Sequence, residues 1–227
     1  LTMLDGHYGY VAATRFLSGL GEGVVGGICY AAMGRSARPE RSISRLSTNP
    51  LVIGALACIL LYFIGMASLW PFLERIGIGK GLSPGTVAFA LSVSAFGGLA
   101  GSLVASLVAG RLPRTIGLLS GLAILVAGVG GLAFLPGTLP FVVSVSLFAF
   151  AWPFQYAFQF GLLASVDRDG RLIALTPAMT GGGLALGPAI GGLLLENLSL
   201  GAVGAFCLLC VVAAVAATIG LRPRPAL

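Results

Sequence analysis

The sequence predicts an all-α membrane protein with about seven transmembrane helices, the last six of which form one bundle. Of its 227 residues, 57% are hydrophobic and 9% are charged, whereas a soluble domain carries about 25% charged residues. The apolar runs are continuous and long enough for helical spans of about 20 residues, unlike the short alternating segments of a barrel. Basic residues also fall in every second connection between these runs.

The apolar runs divide the chain into three parts. Residues 1–33 hold a single N-terminal helix, residues 34–50 form a basic cytoplasmic linker rich in Arg, Ser and Pro, and residues 51–227 hold the six-helix part. A second polar loop is predicted from Glu74 to Pro84. The other connections are short, so consecutive helices are expected to be antiparallel neighbours. The predicted spans are 10–33, 51–70, 86–110, 116–135, 141–165, 172–195 and 200–221.

The first predicted span carries two charges in an otherwise apolar run. Arg15 and Glu22 are its only charged side chains, and Ser18 lies between them. Seven residues correspond to two helical turns, so the three residues share one face. A charge at the bilayer centre costs about 2.5–3.5 kcal/mol on insertion scales and marks a substrate or ion pathway. This face predicts charge recognition or proton coupling, and a purely structural ion pair is the alternative.

The fifth predicted span carries aromatic rings and amides on one face. Trp152, Gln155, Tyr156 and Gln159 follow one another at offsets of three and four. Amides on a helix in lipid need partners, so this face is predicted to point at protein or water, where rings and amides suit an organic solute. The alternative is interhelical hydrogen bonding beside an interfacial aromatic. Weaker candidates are Tyr62, Trp70 and Phe72.

Small residues recur every four positions in several spans, which lets membrane helices approach closely. Two such stripes are Gly97, Gly101, Ala105 and Ala109 in the third span and Gly183, Gly187 and Gly191 in the sixth. Pro153 and Pro188 lie inside the fifth and sixth spans, where each removes a backbone hydrogen bond and can kink its helix. Close helix packing with local bends is therefore expected.

The placement of the cations predicts the orientation in the membrane. Arg75 and Lys80 lie in connections on one side, Arg15 lies within a span, and the other ten of the thirteen cations lie on the opposite side. These ten are Arg35, Arg38, Arg41, Arg45, Arg111, Arg114, Arg168, Arg171, Arg222 and Arg224. By the positive-inside rule the N-terminus is outside and the C-terminus is in the cytoplasm of a multi-pass plasma (inner) membrane protein. The net charge of +6 could suggest a nucleic-acid partner, but the placement of the cations is explained by membrane topology. We therefore expect no nucleic-acid partner.

The sequence offers no pattern for catalysis. All four cysteines lie inside spans, and the Cys207-x2-Cys210 pair has no polar surroundings, so these residues are interpreted as small hydrophobes. Nucleophile, phosphate-binding and zinc-binding motifs are not found. We therefore expect neither an enzyme nor a bound metal or cofactor.

Two segments resemble motifs of the major facilitator superfamily of transporters. Residues 15–23, RFLSGLGEG, are similar to the motif of that family's fourth helix, an Arg followed by spaced glycines. Residues 110–117, GRLPRTIG, are similar to its cytoplasmic loop motif between helices eight and nine. The resemblance implies that Arg111 and Arg114 belong to a conformational motif at that loop.

The sixth span supplies a third resemblance. Its pattern resembles the glycine-proline motif that is known best from antiporters, here at the position of helix eleven. The resemblance implies that these residues control packing and conformation. The residues concerned are Gly183, Gly187, Pro188, Gly191 and Gly192.

The resemblance covers most of the chain but only part of the family fold. Residues 10–33 resemble helix four and residues 51–221 resemble helices seven to twelve, so the chain is expected to be a fragment. The family carries solutes between two six-helix halves that rock against each other. The resemblance implies transport of a small organic solute, with protons as the coupling ion and the lipid bilayer and the missing half as further partners. The alternative is a transport-inactive truncated remnant or a membrane interaction protein.

Overall fold

The computed structural model describes residues 50–166 and 175–221. Within these two ranges all regular structure is helical. The first predicted span, 10–33, and residues 34–49 of the predicted linker lie outside the described ranges. A 3-10 turn, Trp70–Phe72, joins α1 to α2. The helices are α1 (Pro50–Leu69), α2 (Leu73–Gly79), α3 (Pro84–Val108), α4 (Arg114–Phe134), α5 (Thr138–Val166), α6 (Thr176–Asn197) and α7 (Leu200–Gly220).

Six of the described segments are long and apolar enough to cross a membrane, with Leu51–Gly79 counted as one. The all-α, multi-pass membrane fold predicted from composition is confirmed for this part of the chain. Each of the six predicted spans from residue 51 onward coincides with a helix, with ends that differ by a few residues. The fifth, for example, begins at Thr138 and not at residue 141. The apolar runs were sufficient to find these helices.

The loop predicted from Glu74 to Pro84 is wrong in its first half, where the chain forms α2. Leu73 and Ile76 lie three residues apart and are both buried, whereas Glu74 and Arg75 are exposed. Exposed charges do not end a helix whose opposite face is packed against the protein. The true connection before α3 is residues 80–83.

The most extensive contacts join helices that are far apart in the chain. α3 packs along α5 and α6 packs along α1, while α4 also packs on α5 and α7 on α1. α1 and α5 contact each other at the centre of this arrangement. Consecutive helices α4 and α5 are neighbours as expected, but the expectation is wrong for α3 and α4, which hardly touch. Helix packing is decided here by the shapes of the helix faces and not by the shortness of a loop.

The contacts also define the helix directions. α1 and α5 are antiparallel, because Tyr62 meets Trp152 and the later residue Trp70 meets the earlier residue Phe148. α3 runs parallel to α5 and α6 runs parallel to α1, as the glycine contacts below show. Exchanging α1 with α5, α3 with α6 and α4 with α7 reproduces the main helix pairings, although α6 touches α7 whereas α3 hardly touches α4. The bundle therefore consists of two three-helix repeats of opposite orientation.

The glycine stripe of α3 forms its interface with α5. A Cβ atom added at Gly97 would lie 2.5 Å from the carbonyl oxygen of Ser146. One added at Gly101 would overlap the carbonyl oxygen of Phe150. Both contacts are with backbone, which cannot move aside as a flexible side chain can. The prediction that this stripe permits a close helix approach is confirmed.

The glycine stripe of α6 forms the equivalent interface with α1. A Cβ atom at Gly187 would lie 2.7 Å from Cβ of Ala67 and 2.8 Å from the carbonyl oxygen of Ile64. Cβ atoms at Gly183 and Gly191 would likewise overlap atoms of α1. The two glycine interfaces thus attach the second helix of each repeat to the first helix of the other.

Candidate functional site

The structure places only one of the two predicted polar constellations. Arg15, Ser18 and Glu22 lie outside the described residues, so their predicted roles remain predictions. Trp152, Gln155, Tyr156 and Gln159 lie in the middle of α5, at the junction of the two repeats. This junction is the candidate site.

The four predicted residues of α5 separate into two pairs. Gln155 is 0% exposed and Gln159 is 2% exposed, so both amides lie inside the bundle. Trp152 and Tyr156 are only partly buried and pack at its edge. The prediction that this face points at protein or water is confirmed for the two amides, which are buried in protein, whereas Trp152 is only partly buried. The rings and the amides thus occupy adjacent sides of α5.

The Gln155 side chain is held between α5 and α4. Its Nε2 donates a hydrogen bond of 3.2 Å to the carbonyl oxygen of Leu118. The missing side chain of Gly121 makes room for it, since a Cβ atom there would lie 3.0 Å from Cβ of Gln155. A glycine on α4 therefore determines how closely this amide approaches the α4 backbone.

Aromatic rings continue from Trp152 and Tyr156 along the junction of α1 and α5. Trp70 and Phe160 are also at least partly exposed, whereas Phe63 and Phe148 are buried. We call the set the aromatic seam and define it as Phe63 of α1 and Trp70 of the 3-10 turn with Phe148, Trp152, Tyr156 and Phe160 of α5. Trp70 stacks on Phe148 with ring centroids 6.2 Å apart, and Tyr156 lies 5.0 Å from Phe160. Trp70 is 41% exposed. The seam presents a row of rings that a planar or apolar molecule can contact.

Tyr62 connects α1 to α5 at the junction. The sequence predicted it only as a weaker candidate for the site. Its ring is completely buried, and its hydroxyl donates a hydrogen bond of 2.9 Å to the carbonyl oxygen of Trp152. A buried tyrosine hydroxyl usually has such a partner. In the sequence Tyr62 is a single tyrosine in an apolar span. Such a residue indicates that a hydrogen-bond acceptor lies nearby but does not identify it as the Trp152 carbonyl.

The glycine-proline motif lies against α1, where Gly183 contacts Phe63 of the seam. Gly183, Gly187 and Gly191 face α1, while a Cβ atom at Gly192 would meet open space. Pro188 lies inside α6, and α6 continues through it as α5 continues through Pro153. The motif therefore has a packing role for three of its glycines, and Gly192 does not share it.

Charged side chains of the described ranges lie at or near the ends of the spans. Lys80 donates a hydrogen bond of 2.7 Å from Nζ to the carbonyl oxygen of Leu135, and Arg75 lies 5.9 Å from the centre of the Phe72 ring. Arg111 is exposed between α3 and α4, at the other end of the bundle from Lys80. Arg114, also implied in the loop motif, begins α4 and is partly buried.

The chain matches no protein-family model, and a comparison with curated proteins gives no match. The observations that bear on function are therefore the arrangement of the helices and the motifs that resemble the major facilitator superfamily. The relevant geometry is the pair of inverted repeats with a partly exposed aromatic seam at their junction.

Proposed function

We propose that the chain is a major-facilitator-type part of a secondary transporter that moves a small organic solute, with protons as the coupling ion. The observation that carries the proposal is the inverted arrangement of α1, α3 and α4 against α5, α6 and α7. Secondary transporters are commonly built from inverted repeats, and their solute sites lie near the bilayer midplane where the repeats meet. The aromatic seam lies at this junction.

The roles of individual residues follow from their positions. Trp152 and Tyr156 contact the solute from the seam, and the amides of Gln155 and Gln159 lie directly behind it. Arg15 and Glu22 provide charge recognition or proton coupling, with Ser18 on the same helical face. Support for these three residues is their location in an apolar run, where charges are expensive and usually functional.

The proposed orientation has the N-terminus outside and the C-terminus in the cytoplasm of the plasma (inner) membrane. In the predicted topology ten of the thirteen cations, Arg111 and Arg114 among them, share one side of the membrane, and Arg75 and Lys80 lie on the other. This imbalance supports a cytoplasmic location for the Arg111 end. A second six-helix half, supplied by a longer parent protein, is proposed to form the opposite wall of the solute path.

The first experiment separates solute binding from transport. The purified 227-residue chain, in lipid nanodiscs, is tested with a panel of small organic solutes for an increase in melting temperature. We expect a subset of solutes to stabilise the chain and to lose this effect in Trp152→Ala. Val126→Ala, on an exposed position of α4, is the matched control and retains it. If no solute distinguishes Trp152→Ala from Val126→Ala, the seam is not a solute site.

The second experiment tests transport in proteoliposomes with and without a proton gradient. The chain alone is expected to give no concentrative uptake, because one half cannot close the path on both sides. A parent protein with both halves is expected to accumulate the solutes that bind, and Glu22→Gln is expected to weaken the pH dependence of that uptake. Uptake by the chain alone would contradict the need for a second half. A parent that accumulates none of the solutes would favour the alternative, an inactive remnant or an interaction protein.

A further inference from the structure

The interior of the bundle contains amide atoms without a hydrogen-bond partner among the described residues. They are Oε1 of Gln155 and both Oε1 and Nε2 of Gln159. Buried side-chain polar atoms nearly always have a partner, either a protein group or an ordered water. Three such atoms on two side chains one helical turn apart therefore define a polar site inside the bundle.

The chemistry of the occupant follows from these atoms. Gln155 already uses Nε2 to bond the Leu118 carbonyl oxygen, which leaves its Oε1 as an acceptor. Gln159 has both a donor and an acceptor available. The occupant must consequently donate to at least one oxygen and accept from a nitrogen. Phe158 and Leu162, the neighbours of Gln159 in sequence and one turn on, are apolar and buried, which favours a neutral occupant over a charged one.

We propose that Gln155 and Gln159 hold an ordered water molecule inside the bundle, beside α4. The water donates one hydrogen to Gln155 Oε1 and accepts a hydrogen bond from Gln159 Nε2, and its second hydrogen is directed at Gln159 Oε1. Buried waters in proteins typically make about three hydrogen bonds of this kind. The site is separate from the aromatic seam and does not depend on the transport proposal.

Radiolytic labelling in ¹⁸O-water tests the site in the 227-residue protein in nanodiscs. Millisecond X-ray pulses form hydroxyl radicals from water, and a buried side chain is oxidised only when a water lies close to it. Leu118 and Leu125 provide a matched pair, since both are leucines of α4 and both are completely buried. Only Leu118 lies at the amides, through the bond from Gln155.

We expect Leu118 to be oxidised several-fold more than Leu125 in the wild-type chain, with slow uptake of ¹⁸O from bulk water. The excess is expected to disappear in the double variant Gln155→Leu with Gln159→Leu, while the labelling of exposed residues stays unchanged. Equal labelling of Leu118 and Leu125 in the wild type would overturn the proposal, and this comparison does not require the variant to fold. An excess that persists in a folded double variant would also overturn it, because the water would then be held by other groups.

Discussion

The two glycine interfaces and the aromatic seam hold the described part of the bundle together in different ways. In the glycine interfaces, α3 on α5 and α6 on α1, backbone meets backbone and an added methyl group has no room. In the seam, α1 and α5 are separated by rings, and the Tyr62 hydroxyl makes the hydrogen bond between them. Close contact with the backbone of α5 and α1 therefore fixes α3 and α6 in place. Side chains that can change rotamer fill the junction of the repeats, which is where we expect solute-dependent change.

The largest loss of stability is expected for Gly101→Ala. Its new Cβ atom would overlap the backbone carbonyl of Phe150, so α3 must move away from α5. Overpacking of this kind costs about 1–3 kcal/mol, and a clash with backbone belongs at the upper end. The free energy of unfolding in detergent, measured by thermal or denaturant titration, checks the prediction.

Gly98→Ala is the matched control for this prediction, because it makes the same substitution on the next residue of α3. A Cβ atom at Gly98 would lie 3.6 Å from the carbonyl oxygen of Ala149, which is ordinary van der Waals contact. We expect the stability of Gly98→Ala to equal or slightly exceed that of the wild type, because Ala favours a helix more than Gly. Equal destabilisation by both substitutions would show that α3 does not pack through Gly101.

A smaller loss is expected for Gly187→Ala in the second glycine interface. Its nearest obstacle is the Ala67 methyl group at 2.7 Å, and small shifts of both helices can relieve part of the clash. We expect destabilisation by about 1–2 kcal/mol. Gly192→Ala is the control within the same motif, since its Cβ atom meets open space. Comparable losses for both variants would remove the distinction between the packed and the open glycines of α6.

The smallest of these losses is expected for Tyr62→Phe, next to Phe63 of the seam. The substitution removes the hydrogen bond to the Trp152 carbonyl and leaves the ring in place. Side-chain hydrogen bonds in membrane proteins contribute about 0.6 kcal/mol on average, so we expect a loss near that value. Ser92→Ala removes an exposed bond within α3 and should have no measurable effect. A loss for Tyr62→Phe as large as that for Gly101→Ala would mean that the seam is as rigid as the glycine interfaces.

Much of the helical fold could be predicted because it depends on local composition. Continuous apolar runs predicted α1 and α3 to α7, and the four-residue spacing of glycines predicted which faces pack closely. α2 was missed because Glu74 and Arg75 suggested a loop, although Leu73 and Ile76 are spaced for a buried helical face. The pairing of helices could not be predicted, since a glycine stripe shows that a partner exists but not which helix it is.

The part of the candidate site that depends on local sequence could also be predicted. The offsets of Trp152, Gln155, Tyr156 and Gln159 placed them near one another on α5, which is a local property of a helix. Their separation into buried amides and partly exposed rings depends on where α1 and α4 pack against α5. The role of Tyr62 depends on the same contacts, which no single span encodes.

We propose that the partly exposed rings of the aromatic seam line an aqueous solute path and do not face lipid. The most direct test of this proposal is the rate at which a water-soluble, charged thiol reagent modifies single cysteines in a cysteine-free variant in membranes. Trp152→Cys and Tyr156→Cys report on the seam, and Val126→Cys, 46% exposed on α4, reports on a lipid-facing surface. We expect both seam positions to react much faster than Val126→Cys and to be protected by a bound solute. Reaction at the seam as slow as at Val126→Cys would show that the seam does not line an aqueous path.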